Sequence, residues 1–86
     1  MKHNSTEYEI FRRCMIAARK KAKLTQVAIA KSLNKPQSFV AKYENGERRL
    51  DIVEFLIIVR AIGVDPGDII RTVEQELFDV SCEEKV

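Results

Sequence analysis

Residues 25–49 read TQVAIAKSLNKPQSFVAKYENGERR, from Thr25 to Arg49, and this stretch decides the fold. Two short segments with apolar residues at helical spacing flank a tight turn, and the second ends in a glycine and an arginine pair. Thr25 is placed to N-cap the first segment, whose inward residues would be Val27, Ile29, Ala30 and Leu33. Position 28 is alanine, so no reciprocal capping box forms there. Asn34 follows where the chain must reverse, and asparagine is among the few non-glycine residues that tolerate a left-handed backbone. The second segment begins around Pro36, since a missing N–H is no loss in a first helical turn. Its inward residues would be Val40 and Tyr43, with Asn45 and Gly46 as the stop signal.

Working outward, Glu7 to Ala22 carries Phe11, Met15, Ala18 and Ala22 at helical spacing with Arg12, Arg13, Arg19, Lys20 and Lys21 between them. Lys23 and Leu24 break that pattern. Beyond Arg49, a fourth helix is expected from about Asp51 to Ile62, burying Ile52, Phe55, Leu56 and Val59 and ended by Gly63. Asp65, Pro66 and Asp68 then form a helix start with a capping acid, a proline at the first position and a second acid in the first turn. That fifth helix should run to roughly Asp79. The expected domain is all-α and spans 7–79, with frayed segments at 1–6 and 80–86.

The chain has 86 residues and 45% apolar content, enough for one small domain with a core but no deep active site. No apolar run is long enough for a membrane span, and the N-terminus lacks a signal peptide's apolar segment, so a cytosolic protein is expected. Cys14 and Cys82 lack metal-ligand spacing and read as reduced thiols, with Cys14 and Met15 as core filler. No metal or cofactor is expected. The formal net charge is +2, yet residues 1–49 hold 12 Lys or Arg against 4 Asp or Glu, and residues 50–86 hold 3 against 9. A basic half facing a polyanion accounts for this segregation, and so does an ordinary surface whose charges happen to separate.

A rigid short helix with polar residues at its exposed start is the form that enters a DNA major groove. Gln37 and Ser38 supply that start. Glutamine can pair bidentately with adenine, and serine can bond a base or a phosphate. Both also read as polar residues tolerated near a helix start. Lys42, one turn on, reaches a base edge or a phosphate, or is a solvated lysine. Phe39 either contacts a thymine methyl or sugar, or tucks back against the second helix. Asn45, Gly46, Arg48 and Arg49 offer donors suited to the DNA backbone, and Gln26 sits at a helix N-terminus, which favours a phosphate.

Residues 11–70 resemble the Cro and phage-repressor type of helix-turn-helix domain, also called Xre-like. The pattern is matched in order by Arg19, Leu24, Thr25, Gln26, Ala30, Glu44, Asn45 and Gly46. The resemblance implies a five-helix, lambda-repressor-like fold whose third helix reads double-stranded DNA. It implies that Gln26 holds a phosphate and braces Gln37, that Gln37, Ser38 and Lys42 face base edges, and that Arg19 pairs with Glu44. The chain departs from the family pattern at Lys23 and Asn34, where glycine is frequent, and at Pro36, where Ser or Thr usually caps the recognition helix.

A monomer of this size touches too few base pairs to select one site, so a homodimer on a palindrome is expected, with half-sites roughly 34 Å apart. Ile69, Ile70, Val73, Leu77 and Phe78 on the fifth helix form the candidate interface, or else close the monomer core. The function expected is a transcription regulator, most simply a repressor. The alternatives are an antitoxin-like or partner-regulated protein of the same fold, binding another protein through its tail from about Ser81, and a helical interaction module without DNA binding. An enzyme is disfavoured, because no paired nucleophile and base or phosphate-binding loop accompanies the lone His3.

Overall fold

The computed structural model describes the backbone of residues 6–84 and the side chains of residues 6–78. Five helices follow one another: α1 (Thr6–Lys21), α2 (Gln26–Leu33), α3 (Gln37–Asn45), α4 (Ile52–Ile62) and α5 (Pro66–Glu84). There is no strand among the described residues. α2 packs against α3 and α4, and α1 lies against α3 and α5. No helix among the described residues is long and apolar enough to cross a membrane.

Four helices end on a left-handed residue: Lys23 (φ 63°), Asn34 (φ 58°), Gly46 (φ 82°) and Gly63 (φ 91°). At each, the following N–H reaches back five residues: Leu24 to the Arg19 carbonyl, Lys35 to Ala30, Glu47 to Lys42 and Val64 to Val59. These bonds satisfy carbonyls that a helix end would otherwise leave open. Glycine adopts such a backbone freely, asparagine tolerates it, and lysine does so only under strain.

The core consists of Met15, Ile29, Ala30, Val40, Tyr43, Phe55, Ile58, Val59, Ile62 and Ile69, with Phe11, Ala18, Ala22, Leu24, Leu33, Phe39, Leu50 and Val73 packed around it. Three expected core residues are instead exposed: Val27 at 57%, Ile52 at 62% and Leu56 at 45%. In α2 the inward face is set by Ile29, Ala30 and Leu33, and Val27 lies well around the helix from it. In α4 the register is rotated: Phe55 and Val59 are buried as expected, and Ile58 and Ile62 complete the inward face in place of Ile52 and Leu56. Nearly every position of α4 is apolar, so periodicity alone admits both registers.

α4 starts with a reciprocal capping box: Asp51 Oδ1 accepts from the Glu54 N–H at 2.8 Å, and Glu54 Oε1 accepts from the Asp51 N–H at 3.0 Å. α5 divides the stripe expected of it. Ile69 is buried in the core, Val73 and Leu77 are half-buried, and Ile70 and Phe78 are exposed. The Asp65 carboxylate lies 3.8 Å from Arg71. The helix runs to Glu84, past the expected end at Asp79, across a non-helical backbone at Phe78. Of the expected frayed segments, residues 1–5 and 85–86 lie outside the described residues, whereas Thr6 and residues 80–84 are helical. The Cys14 thiol is half-buried and held above its ordinary pKa, chiefly by burial; the Cys82 side chain lies outside the described residues.

Candidate nucleic-acid interface

Local capping orients the α2–α3 pair. The Thr25 hydroxyl accepts the Ala28 N–H at 3.0 Å, and the left-handed Asn34 turns the chain. Pro36 then occupies the N-cap of α3 without a side-chain bond, which makes Gln37 the first residue of that helix. Val40, Tyr43 and Glu44 face inward, so Gln37, Ser38, Lys42 and Asn45 come to the exposed side of the same short helix. Half-buried Ala41, which the sequence did not single out, lies among them and leaves the surface between Gln37 and Lys42 low.

Beneath this surface runs a hydrogen-bond chain that begins in the core. Glu44 is a buried carboxylate, 5% exposed. Arg19 grips it with Nε to Oε2 at 2.7 Å and a second nitrogen to Oε1 at 3.1 Å, while its third nitrogen donates to the Leu24 carbonyl at 2.9 Å. That hydrogen bond to Glu44 also raises the pKa of Arg19. Arg12 donates to the Glu44 backbone carbonyl, and its side chain runs beside Gly46, where a Cβ would stand 3.1 Å from Arg12 Nε. The pairing implied by family resemblance is therefore present, joined by an Arg12 contact the sequence did not reveal.

The same carboxylate orients two amides. Gln26 Nε2 donates to Glu44 Oε1 at 2.8 Å, and Gln37 Nε2 donates to Gln26 Oε1 at 2.9 Å. An ionised carboxylate only accepts, so Gln26 must turn its nitrogen inward and its oxygen toward Gln37. Gln37 must then donate to that oxygen. What it leaves facing outward is its own Oε1 and its second amide hydrogen. The Gln26 side chain is thus engaged at both ends, and the donors it leaves open beside α2 are backbone N–H groups at the helix start and its second amide hydrogen.

The loop after α3 is built around Phe39. Its ring meets Tyr43 edge-on with centroids 5.7 Å apart, with the Arg48 guanidinium 4.9 Å and the Lys35 ammonium 5.3 Å from its centre. Phe39 is half-buried and carries two cations on its ring. Arg48 also forks onto Glu54 at 3.0 and 2.5 Å. That pairing, with the Asp51 N–H bond, holds the Glu54 carboxyl down to about 2. Arg49 lies 4.4 Å over the Tyr8 ring, and the Tyr8 hydroxyl accepts the Leu50 N–H at 3.1 Å, tying the loop to α1. Glu54, Tyr8 and Lys35 were not singled out from the sequence. The first was legible, because Asp51 and Glu54 have capping-box spacing.

A family model described as Helix-turn-helix (HTH_3) matches residues 15–69. Among solved structures, the chain is similar to an "XRE-family like protein from Pseudomonas syringae pv. tomato str. DC3000". The two share 41% sequence identity with a TM-score of 0.77, over 81% of this chain and 85% of that one. No curated protein matches. The matched span holds the α2–α3 pair and both members of the Arg19–Glu44 bridge, and the chain belongs to the Xre-like helix-turn-helix family of DNA-binding transcriptional regulators.

Proposed function

We propose that this protein is a cytoplasmic, sequence-specific regulator that binds a palindromic operator as a homodimer and represses by occluding a promoter. The observation that carries the reading is the orientation of Gln37. With one amide hydrogen held by Gln26, Gln37 offers an acceptor and a donor side by side. In the major groove adenine presents the complementary pair, a donor at N6 and an acceptor at N7. Ser38 and Lys42 share that face and read neighbouring base edges, and Phe39, at its edge, supplies apolar contact to a thymine methyl or sugar.

Phosphates are held by Asn45, Arg48, Arg49 and the α2 start at Gln26, which set the register of the domain without reading sequence. The dimer contact includes Ile70, Val73, Leu77 and Phe78 of α5, which line one groove with Ile52 and Phe55. Binding to a second protein through the tail from Ser81 is a separate reading, tested by co-purification.

Selection of bound duplexes from a random library at near-physiological salt tests the proposal. The expected result is an enriched palindrome with half-sites about ten base pairs apart and an adenine at a fixed place in each. Retention without enrichment, abolished by moderate salt, would overturn it.

A further inference from the structure

Three residues of α1, Tyr8, Arg12 and Arg19, follow at intervals of four and seven and so lie along one side of that helix. Each reaches the end of α3 or the loop beyond it. Arg19 holds the Glu44 carboxylate, Arg12 donates to the Glu44 backbone carbonyl, and Tyr8 meets the Arg49 guanidinium and the Leu50 N–H. The chain leaving α3 is therefore fastened to α1 at both ends, by Arg12 at residues 44–46 and by Tyr8 at residues 49–50. Asn45, Arg48 and Arg49 lie on the span so held.

We infer that Arg12 is a positioning residue for the DNA-backbone contact: by holding the main chain at the end of α3, it sets where Asn45, Arg48 and Arg49 meet phosphate, without touching DNA itself. The inference rests on the phosphate contacts proposed above and adds a residue that they leave out.

Two observations set this role apart from packing. The first is what the Arg12 donor satisfies. The last carbonyls of a helix have no partner within it. In α3 the Lys42 carbonyl accepts from Gly46 and Glu47, whereas the Glu44 carbonyl accepts from Arg12. A cation there also complements the negative pole of the helix. The second is fit. The Arg12 side chain is 14% exposed and lies along Gly46, where a Cβ would meet its Nε at 3.1 Å, its Cδ at 3.3 Å and its Cζ at 3.4 Å. Gly46 is left-handed at φ 82°, so glycine is required there by the backbone and again by Arg12. Among the described residues the buried Arg12 Nε has no hydrogen-bond partner, which lowers stability. An apolar side chain of that length would fill the slot without this penalty, but would put no donor on the Glu44 carbonyl.

Arg12 and Arg19 thereby divide Glu44 between them. Arg19 acts on its carboxylate, which orients Gln26 and Gln37, and Arg12 acts on its main chain, which leads to the phosphate loop.

Arg12→Met tests the inference by two measurements on the full chain. Amide hydrogen exchange of the free protein should speed up at Gly46 and Glu47, whose N–H groups close α3 on Lys42, relative to Lys35 and Val64, which close α2 and α4 in the same way. In titrations the variant should lose about tenfold in affinity for the duplex enriched by selection and for unrelated duplex alike, a loss in the range of one hydrogen bond to a charged group. Preference at the base pair met by Gln37 should be unchanged. Arg12→Lys, which keeps a cation but not the fork, should show the same pattern in smaller degree, and carries both measurements where Arg12→Met does not fold. Exchange that rises equally at all four amides, affinity equal to the parent's, or loss of preference at the Gln37 base pair overturns the inference. A parent chain that binds duplex without sequence preference overturns the base-reading proposal, and exchange with the unrelated-duplex titration still decides the role of Arg12. A parent chain that binds no duplex overturns the phosphate contacts and this inference with them.

Discussion

Arg48 and Glu54 form a two-pronged ion pair across the loop between α3 and α4, with nitrogen–oxygen distances of 3.0 and 2.5 Å. The guanidinium that would meet a phosphate is thus already held by a carboxylate, and that carboxylate also closes the capping box of α4. If Arg48 meets a phosphate as proposed, fold stability and DNA affinity pull in opposite directions at this pair. Glu54→Gln should lower the stability of the free domain by roughly 1 kcal/mol, a solvent-screened pair being worth little more. The same change should raise affinity for DNA of any sequence, because the phosphate-facing cation loses its internal counter-charge. Melting and duplex titration on the two proteins check both halves.

The acid dependence follows from the same group. Glu54 is lowered from 4.5 to about 2 in the folded chain, so its contribution is complete above the unfolded value and disappears as pH falls from there toward the folded one. Melting temperature against pH should drop between about 4.5 and 2, and Glu54→Gln should flatten that limb. An unchanged limb in the variant would remove Glu54 as its source.

The two arginines of the loop should separate by salt dependence. Arg49 rests on the Tyr8 ring, and among the described residues no carboxylate pairs with it, so Arg49→Ala should flatten the slope of log affinity against log salt by about one unit. Arg48→Ala should flatten it by less, since Glu54 already offsets that charge. Both should weaken binding to all sequences alike. Equal slopes for the two variants would contradict this ordering.

Gln37→Ala should behave differently, relaxing preference at one or two base pairs by about 1–3 kcal/mol while leaving non-specific binding nearly intact. Gln26→Met removes the brace and leaves Gln37 in place. It should also lose discrimination at that base pair, because a free amide can present either edge. Competition titrations against single-base-pair operator variants measure both effects.

Lys23 adopts a left-handed backbone at φ 63°, and Lys23→Gly should stabilise the domain by about 1 kcal/mol through relief of that strain. Arg19→Met should act in the opposite sense by about 3 kcal/mol or more, since Glu44 would be left as an uncompensated buried charge. Denaturant unfolding of the two variants gives both values.

What was legible in the sequence follows the strength of the local signal. Asn34 and Gly46 were readable as chain reversals because few residues accept a left-handed backbone, and both adopt one. Val40 and Tyr43 were readable as inward because polar neighbours on α3 leave a single apolar face. In α4 Phe55 and Val59 were legible as inward, but Ile52 and Leu56 were read in place of Ile58 and Ile62, because its apolar positions outnumber those one face can hold and only the packing of α2 and α5 selects among registers. Phe39 was readable as a DNA contact or a contact to the second helix and Arg48 as a donor to the DNA backbone, but their mutual stacking and the hold of Glu54 on Arg48 are tertiary relations that no spacing encodes. Arg19 and Glu44 were paired through family resemblance, being 25 positions apart on different helices.

The hydrogen-bond chain from Arg19 to Gln37 also bears on how such a protein can change its target. Glu44 serves the fold and Gln26 serves both fold and reader, so substitution at either disturbs more than one function. Gln37 alone stands at the open end, exposed and bonded to a single side-chain partner. If Gln37 reads a base as proposed, operator preference would drift by replacement of that one residue while the domain beneath stays intact, so the tip of α3 is where target choice could change without loss of shape.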